Sequence, residues 1–394
     1  MNLDGAKQTV QAVIDAASQD LRRISLSIHA QPELRFEEHH AHQVLTDYLD
    51  SAGFHVSRGA YDMPTAFEAI AGSGSPAIAV MCEYDALPGI GHACGHNLIA
   101  ISGVAVGIAL KAVLGEGNGT VVVLGSPAEE GGGGKVRMVE RGAFKNIDAA
   151  LMLHPTPADS AWFNSTATMG FTVEYHGKNA HAGGMPWEGL NAMDALVMAH
   201  TAIGLLRQQL RPTDRVTGMI LKGGDAVNII PDYAAAQYGI RVRRSSELEG
   251  LQKKVTNCFE AAALATGCRL ELTSRMGYVD MRTNEPMAFA YMDNFAAMGG
   301  NAREADGARR EPAGGATDMG DVSYVVPAIH PTFAIPVTPG AANHTAGFTA
   351  CAATDEAHEL TLRAAKALAM TAVDLFAQPE LLSDARAAFE KVTR

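Results

Sequence analysis

A chain of 394 residues with 47% hydrophobic and 19% charged residues can bury a full core without cross-links, and its length suits two or three domains. A formal net charge of −12 with no cluster of Lys and Arg argues against a nucleic-acid partner. That acidity speaks to solubility and says nothing about chemistry.

The opening MNLDGAKQTV lacks a basic stretch followed by an apolar one, so no export leader is expected. Three short apolar runs follow, at 77–82 (AIAVMC), 120–125 (TVVVLG) and 149–153 (AALML). Each has strand length and turn residues behind it, the pattern of strands buried on both faces of a parallel sheet. A helix at 98–114 lies between the first two. Its apolar core, 98–110, stops at Lys111 and reads as a buried helix too short to span a bilayer, so no membrane partner is expected. Alternating strands and helices predict an α/β fold: a mixed, mostly parallel sheet with helices on both faces.

Near residue 168 the pattern changes. Residues 171–175 alternate, a helix covers about 190–210, strands cover 216–222 and 234–243, a helix covers about 247–265, and a strand covers 269–273. That β-α-β-β-α-β order predicts an inserted ferredoxin-like α+β domain. The expected division is therefore 1–167 with 280–394 as one α/β domain and 168–279 as the insertion, with a helical tail from Thr354. The cysteines (Cys82, Cys94, Cys258, Cys268 and Cys351) are odd in number and irregularly spaced. They read as free thiols of a reducing compartment, so a cytoplasmic location is expected.

The three apolar runs lead into EYDALP at 83–88, SPAEE at 126–130 and His154-Pro155. Ligands of open α/β sheets bind beyond the carboxyl ends of the strands, so carboxylates and a histidine should converge on one crevice. HACGHN at 92–97 adds Cys94 and His96, a thiolate and an imidazole suited to zinc and similar ions. Asn97 could cap the following helix. Alone, Cys-x-His is more often a buried cysteine beside a solvated histidine; with Glu129, Glu130 and His154 in the same crevice, metal is the better reading. In the Glu129–Glu130 pair one carboxylate can bind metal while the other moves a proton, although most such pairs are solvated turns. GGGGK at 131–135 is not a phosphate loop, because Val136 stands where Ser or Thr would hold magnesium. No Gly-x-Ser-x-Gly elbow is present. His344, in ANHTAGF, is by itself an ordinary loop histidine.

These motifs together resemble the metallopeptidase family that includes aminoacylase and glutamate carboxypeptidase, in its amidohydrolase branch of hippurate, indole-acetyl-amino-acid and aminobenzoyl-glutamate hydrolases. The resemblance runs through HAQPELRFEE at 29–38, EYDALPGIGHACGHN at 83–97, SPAEEGGGGK at 126–135, GKNAHAGGMPWEGLNA at 177–192, GGDAVNIIPD at 223–232, GATDMGDVSYVVP at 315–327 and NHTAGF at 343–348. It implies two divalent metal ions, zinc or manganese, bridged by Cys94 and completed by His96, Glu130, His154 and His344. Glu129 would be the general base and acid, and Asp85 would orient a ligand. His181 would polarise the scissile carbonyl, and Asn228 and Arg241 would hold the substrate carboxylate. Arg243 or Arg244 could take the last role, and a plain surface charge is the bland reading of Arg241. The resemblance further implies a homodimer through the insertion, and hydrolysis of an N-acyl amino acid to release a free amino acid. A dipeptidase, or a non-catalytic binding protein that keeps the metals, are the alternatives.

Overall fold

A computed structural model of the chain describes residues 2–302 and 315–393. It opens with α1 (Leu3–Ala30), capped by the Asn2 side chain, and α2 (His39–Ser51). β1 (His55–Arg58), β2 (Phe67–Ser73), β3 (Ala77–Glu83), α3 (His96–Val113), β4 (Gly119–Ser126), α4 (Gly134–Glu140), β5 (Ala149–Leu151) and β6 (His154–Thr156) follow. Next come β7 (Ala167–His176), β8 (Ala180–His181), α5 (Ala192–Leu206), β9 (Arg215–Lys222), β10 (Ile229–Ile230), β11 (Tyr233–Val242), α6 (Leu248–Thr266) and β12 (Arg269–Met276). The chain ends with α7 (Glu285–Ala297), α8 (Met319–Ser323), β13 (Ala328–Ile329), β14 (Thr332–Ala334), α9 (Ala346–Cys351), α10 (Asp355–Ala377) and α11 (Pro379–Thr393).

These elements form two compact units: 2–164 with 281–302 and 317–393, and 165–280 with 315–316. In the first, a sheet of order β1-β2-β4-β3-β5-β13 is parallel from β4 to β13 and antiparallel at β1 and β2. Its central strands are apolar at successive positions because both faces are covered. Ile78, Val80, Val121 and Val123 join a cluster with α1, α3, α7 and α10. Ala79, Met81, Val122 and Leu124 join a second cluster with Met138 of α4 and Met319 and Val322 of α8.

Three local expectations are corrected. The run 149–153 does not form one strand; it ends at Leu151 and resumes at His154 in β6, which pairs with β14. Asn97 does not cap α3. The cap is Gly95 at φ 76°, where a Cβ would lie 2.6 Å from Pro155, and Asn97 instead donates to Ser25 Oγ (2.9 Å) and Ala352 O (3.0 Å). α3 is, contrary to the sequence-based expectation, long and apolar enough to cross a membrane by length and composition, yet its side chains fill the core with α1 and α10.

In the second unit the antiparallel sheet runs β12-β7-β11-β9, the ferredoxin-like order, with α5 and α6 packed on one face through Leu196, Ile203, Leu251 and Phe259. A small β8–β10 ribbon is added to it.

Candidate metal centre

Five segments of the first unit meet beyond the carboxyl ends of β3, β4 and β5. β3 ends on Glu83, and Asp85 follows two residues later. The turn before α3 carries Cys94, α3 begins with His96, the turn after β4 carries Glu129 and Glu130, and β6 begins with His154. The loop before α9 brings His344, whose backbone sits at φ 68° and whose N–H donates to Ala93 O (2.8 Å). Left-handed backbone in a non-glycine residue costs roughly 1–2 kcal/mol, and Ala128 at φ 59° carries the same cost beside the glutamate pair.

Cys94 belongs to two triplets whose ligand atoms all lie within 4.8 Å of one another: one with His96 and His154, the other with Glu130 and His344. Its Sγ is 3.5 Å from His154 Nε2, and His344 Nε2 is 3.4 Å from Glu130 Oε1. His96 Nδ1–H donates to Asp85 Oδ1 (2.9 Å) and His154 Nδ1–H to Pro155 O (2.8 Å). Both rings therefore turn Nε2 toward Cys94, as metal-ligating histidines do. His96 Nε2 and Glu130 Oε1 are buried without a hydrogen-bond partner. Unmatched inward-facing donor atoms of this kind, with a thiolate among them, fit divalent ions.

The electrostatics agree. Burial pushes the Cys94 thiol up, but His154, His344 and His96 outweigh it and hold the group well below the usual thiol range. Burial, then Glu83 and Asp318, push Glu129 well above the usual carboxylate range, which suits a group that accepts and returns a proton.

Some partners gave no readable signal in the sequence. Lys135, which ends the glycine run, is fully buried between Glu83 and Asp318, with Nζ 2.8 Å from Asp318 Oδ1. It holds Glu83, so the Gly-rich turn is a charge-pairing element. His330 is fully buried with both ring nitrogens unpartnered, stacked on Phe163 and 5.6 Å from the His154 ring.

In the second unit His181 is exposed, and its Nδ1 accepts from Gly183 N (3.1 Å) and Gly184 N (3.0 Å). With Nδ1 accepting, Nε2 is the N–H donor of the ring. Asn228 is exposed and bound to the same turn through Ala182 N–H to Asn228 O (3.0 Å). Arg241 is exposed on β11, an interior strand, between Thr168 and Arg215.

Residues 166–267 match the peptidase dimerisation domain of the M20 family. The chain is 45% identical to the Xaa-Arg dipeptidase of Homo sapiens, over 96% of this chain and 90% of that one. The chain belongs to the M20 family. It is 31% identical to a p-aminobenzoyl-glutamate hydrolase polypeptide of Escherichia coli, over 98% of this chain and 95% of that one. Its fold matches that of a dinuclear metal binding peptidase of the M20 family from Bacillus subtilis, at a TM-score of 0.72, 18% identity and 92% and 99% coverage. As an M20 member it is a metallo-amidohydrolase acting on carbon–nitrogen amide bonds, and the expected mixed α/β fold with its dimerisation insertion is the one observed.

Proposed function

We propose that the protein hydrolyses the amide bond next to a C-terminal residue with a free carboxylate, and that its preferred substrates are dipeptides ending in a basic residue. The observation that carries the hydrolytic reading is Cys94 shared between two ligand triplets beside a buried Glu129. The basic preference is supported by similarity across nearly the whole chain to a relative named for Xaa-Arg dipeptides. A second reading, hydrolysis of an N-acyl or N-aroyl amino acid, is favoured by the relative named for aminobenzoyl-glutamate.

Cys94, His96, Glu130, His154 and His344 would hold two divalent ions, zinc or manganese. When bound, the ions supply Lewis acidity toward the scissile carbonyl and a lowered pKa for the attacking water. Asp85 keeps His96 in the ligating tautomer. Glu129 takes the proton from the attacking water and delivers it to the amide nitrogen as the C–N bond breaks, leaving a free acid and a free amine. His181 donates its Nε2–H to the oxygen that becomes negative. Asn228 and Arg241 bind the substrate carboxylate, Arg by its two-pronged fork.

A homodimer through the second unit is supported by the dimerisation-domain match, by β9 at the sheet's edge, and by exposed Val197, Met198, Leu205, Met219, Ile220 and Leu221. A cytoplasmic location accords with five free thiols.

The deciding experiment is hydrolysis of a panel holding Ala-Arg, Ala-Lys, Ala-Glu, aminobenzoyl-glutamate and hippurate, with and without chelator, by the wild type and by Glu129→Gln. Chelator-sensitive release of arginine or lysine is expected, with turnover in Glu129→Gln reduced by about 10²–10⁴ while metal stays bound. Turnover that survives in Glu129→Gln refutes the mechanism. Cleavage of aminobenzoyl-glutamate alone transfers the assignment to the second reading.

A further inference from the structure

The backbone around Glu129 is gripped at two points. The N–H of Glu130 donates to Asp85 Oδ2 (3.0 Å), and the N–H of Ala128 donates to Glu38 Oε1 (2.9 Å). Ala128 is fully buried in the left-handed region, a conformation that persists only where its surroundings impose it. Glu38 comes from HAQPELRFEE, a segment that supplies no ligand. It is itself fully buried and takes two further donors, Phe36 N–H on Oε1 (2.9 Å) and Thr65 Oγ1–H on Oε2 (2.8 Å). Phe36 also lies in the left-handed region, at φ 64°. Glu33, its neighbour in the motif, has a different task, accepting the N–H groups of His40 (2.9 Å) and Ala41 (3.0 Å) in the first turn of α2. A buried carboxylate is costly, and a fold that only had to seal a loop would not require one.

We propose that Glu38 is a positioning residue for the reaction: its Oε1 fixes the left-handed Ala128 peptide and so sets the aim of Glu129. The inference rests on the reading that Glu129 moves the proton. What matters is the placement of an acceptor oxygen, so glutamine serves almost as well. Its Oε1 takes both backbone donors, and its amide meets a Thr65 hydroxyl that can rotate to accept.

The test compares Glu38→Ala, Glu38→Gln and Glu129→Gln with wild type for kcat, KM, metal content and amide hydrogen exchange across 126–133. Displacing a reacting group by an ångström costs up to about 10²-fold, so Glu38→Ala should lose about 10–100-fold in kcat. Its KM should stay within about threefold, metal should remain bound, and the Ala128 amide should exchange faster, while Glu38→Gln restores at least about a third of kcat. A merely structural role would lower stability and leave kcat per metal-loaded site unchanged. Full kcat in Glu38→Ala, or a Glu38→Gln variant as impaired as Glu38→Ala, overturns the inference. If Glu38→Ala does not fold, Glu38→Asp keeps the charge but withdraws the oxygen by one methylene; it should show the same loss in kcat, and full kcat there overturns the inference equally. Glu38→Ala active with Glu129→Gln dead refutes the positioning role alone; Glu129→Gln active refutes the reading beneath it.

Discussion

Asp85 is bonded in a way that its closest isostere cannot reproduce. One carboxylate oxygen accepts His96 Nδ1–H at 2.9 Å, and the other accepts the Glu130 N–H at 3.0 Å. Both partners are donors, and Asp85 is 1% exposed. Asparagine at this position has one acceptor oxygen and one NH2. Either orientation of the amide therefore sets a donor against a donor, and burial keeps bulk water from relieving it. A buried donor left unsatisfied costs about 1–3 kcal/mol. If His96 loses its partner, the ring is also free to ligate through the wrong tautomer, and loss of such a partner typically weakens metal binding about 10–100-fold. The two routes agree, since a factor of 10–100 is about 1.4–2.8 kcal/mol. Asp85→Asn should therefore weaken at least one metal-binding step by about 10–100-fold in a competition titration against a fluorescent chelator. Turnover should recover in part at saturating metal. Binding unchanged within about twofold, by a folded Asp85→Asn protein, would refute the argument that Asp85 works through His96.

Three more outcomes can be measured. Lys135→Met leaves Glu83 and Asp318 buried without their cation, a loss worth about 3–5 kcal/mol; the melting temperature should fall by at least about 6 °C, and an unchanged melting curve would show that the trio is dispensable. Burial, the largest influence, raises Glu38 from 4.5 to about 7, so the stability that its protonated form contributes is full below pH 4.5 and is lost as pH rises to about 7. Urea unfolding should therefore show Glu38→Gln gaining on wild type between pH 4.5 and pH 7, by up to about 3 kcal/mol; parallel stability curves for the two proteins would contradict this. Leu205→Glu combined with Met219→Glu places charge on the exposed apolar faces of α5 and β9. If the proposed dimer uses these faces, sedimentation should show a dimer for the wild type and a monomer for the variant, and two indistinguishable profiles would refute this contact.

The strand ends were legible because burial on both faces writes an unbroken apolar run, and the turn behind each run carries the polar residues. Glu83, Glu129, Glu130 and His154 could therefore be placed together from the amino-acid order, with Cys94 and His96 drawn in by the turn that follows β3. His344 gave no signal of its own and depended on family likeness. Partners remote in sequence were not legible: Glu38 reaches Ala128 across 90 residues, and Lys135 reaches Asp318 across 183. Backbone geometry was also hidden. Asn97 has the chemistry of a helix cap, but the left-handed Gly95 takes that position, and the apolar run at 149–153 gave no hint that its strand breaks before His154. Composition likewise gave no hint that Trp187 faces outward, 74% exposed.

Charge balance gives a reason, independent of likeness, for two ions. Glu83, Asp85, Glu129, Glu130 and Asp318 converge with the Cys94 thiolate around the ammonium of Lys135. All but Glu130 are buried, and each uncompensated charge held there costs several kcal/mol. Lys135 neutralises one of the six negative charges, and one divalent ion would still leave three. A second divalent ion brings the surplus to one, and a proton on Glu129, which burial and then Glu83 and Asp318 push well above the usual carboxylate range, removes the last. The balance thus favours the protonated Glu129 that forms when it takes the proton of the attacking water. When Glu129 gives it to a leaving nitrogen, the site regains a negative charge that only a new proton from water can cancel, and this resets the enzyme for another turn.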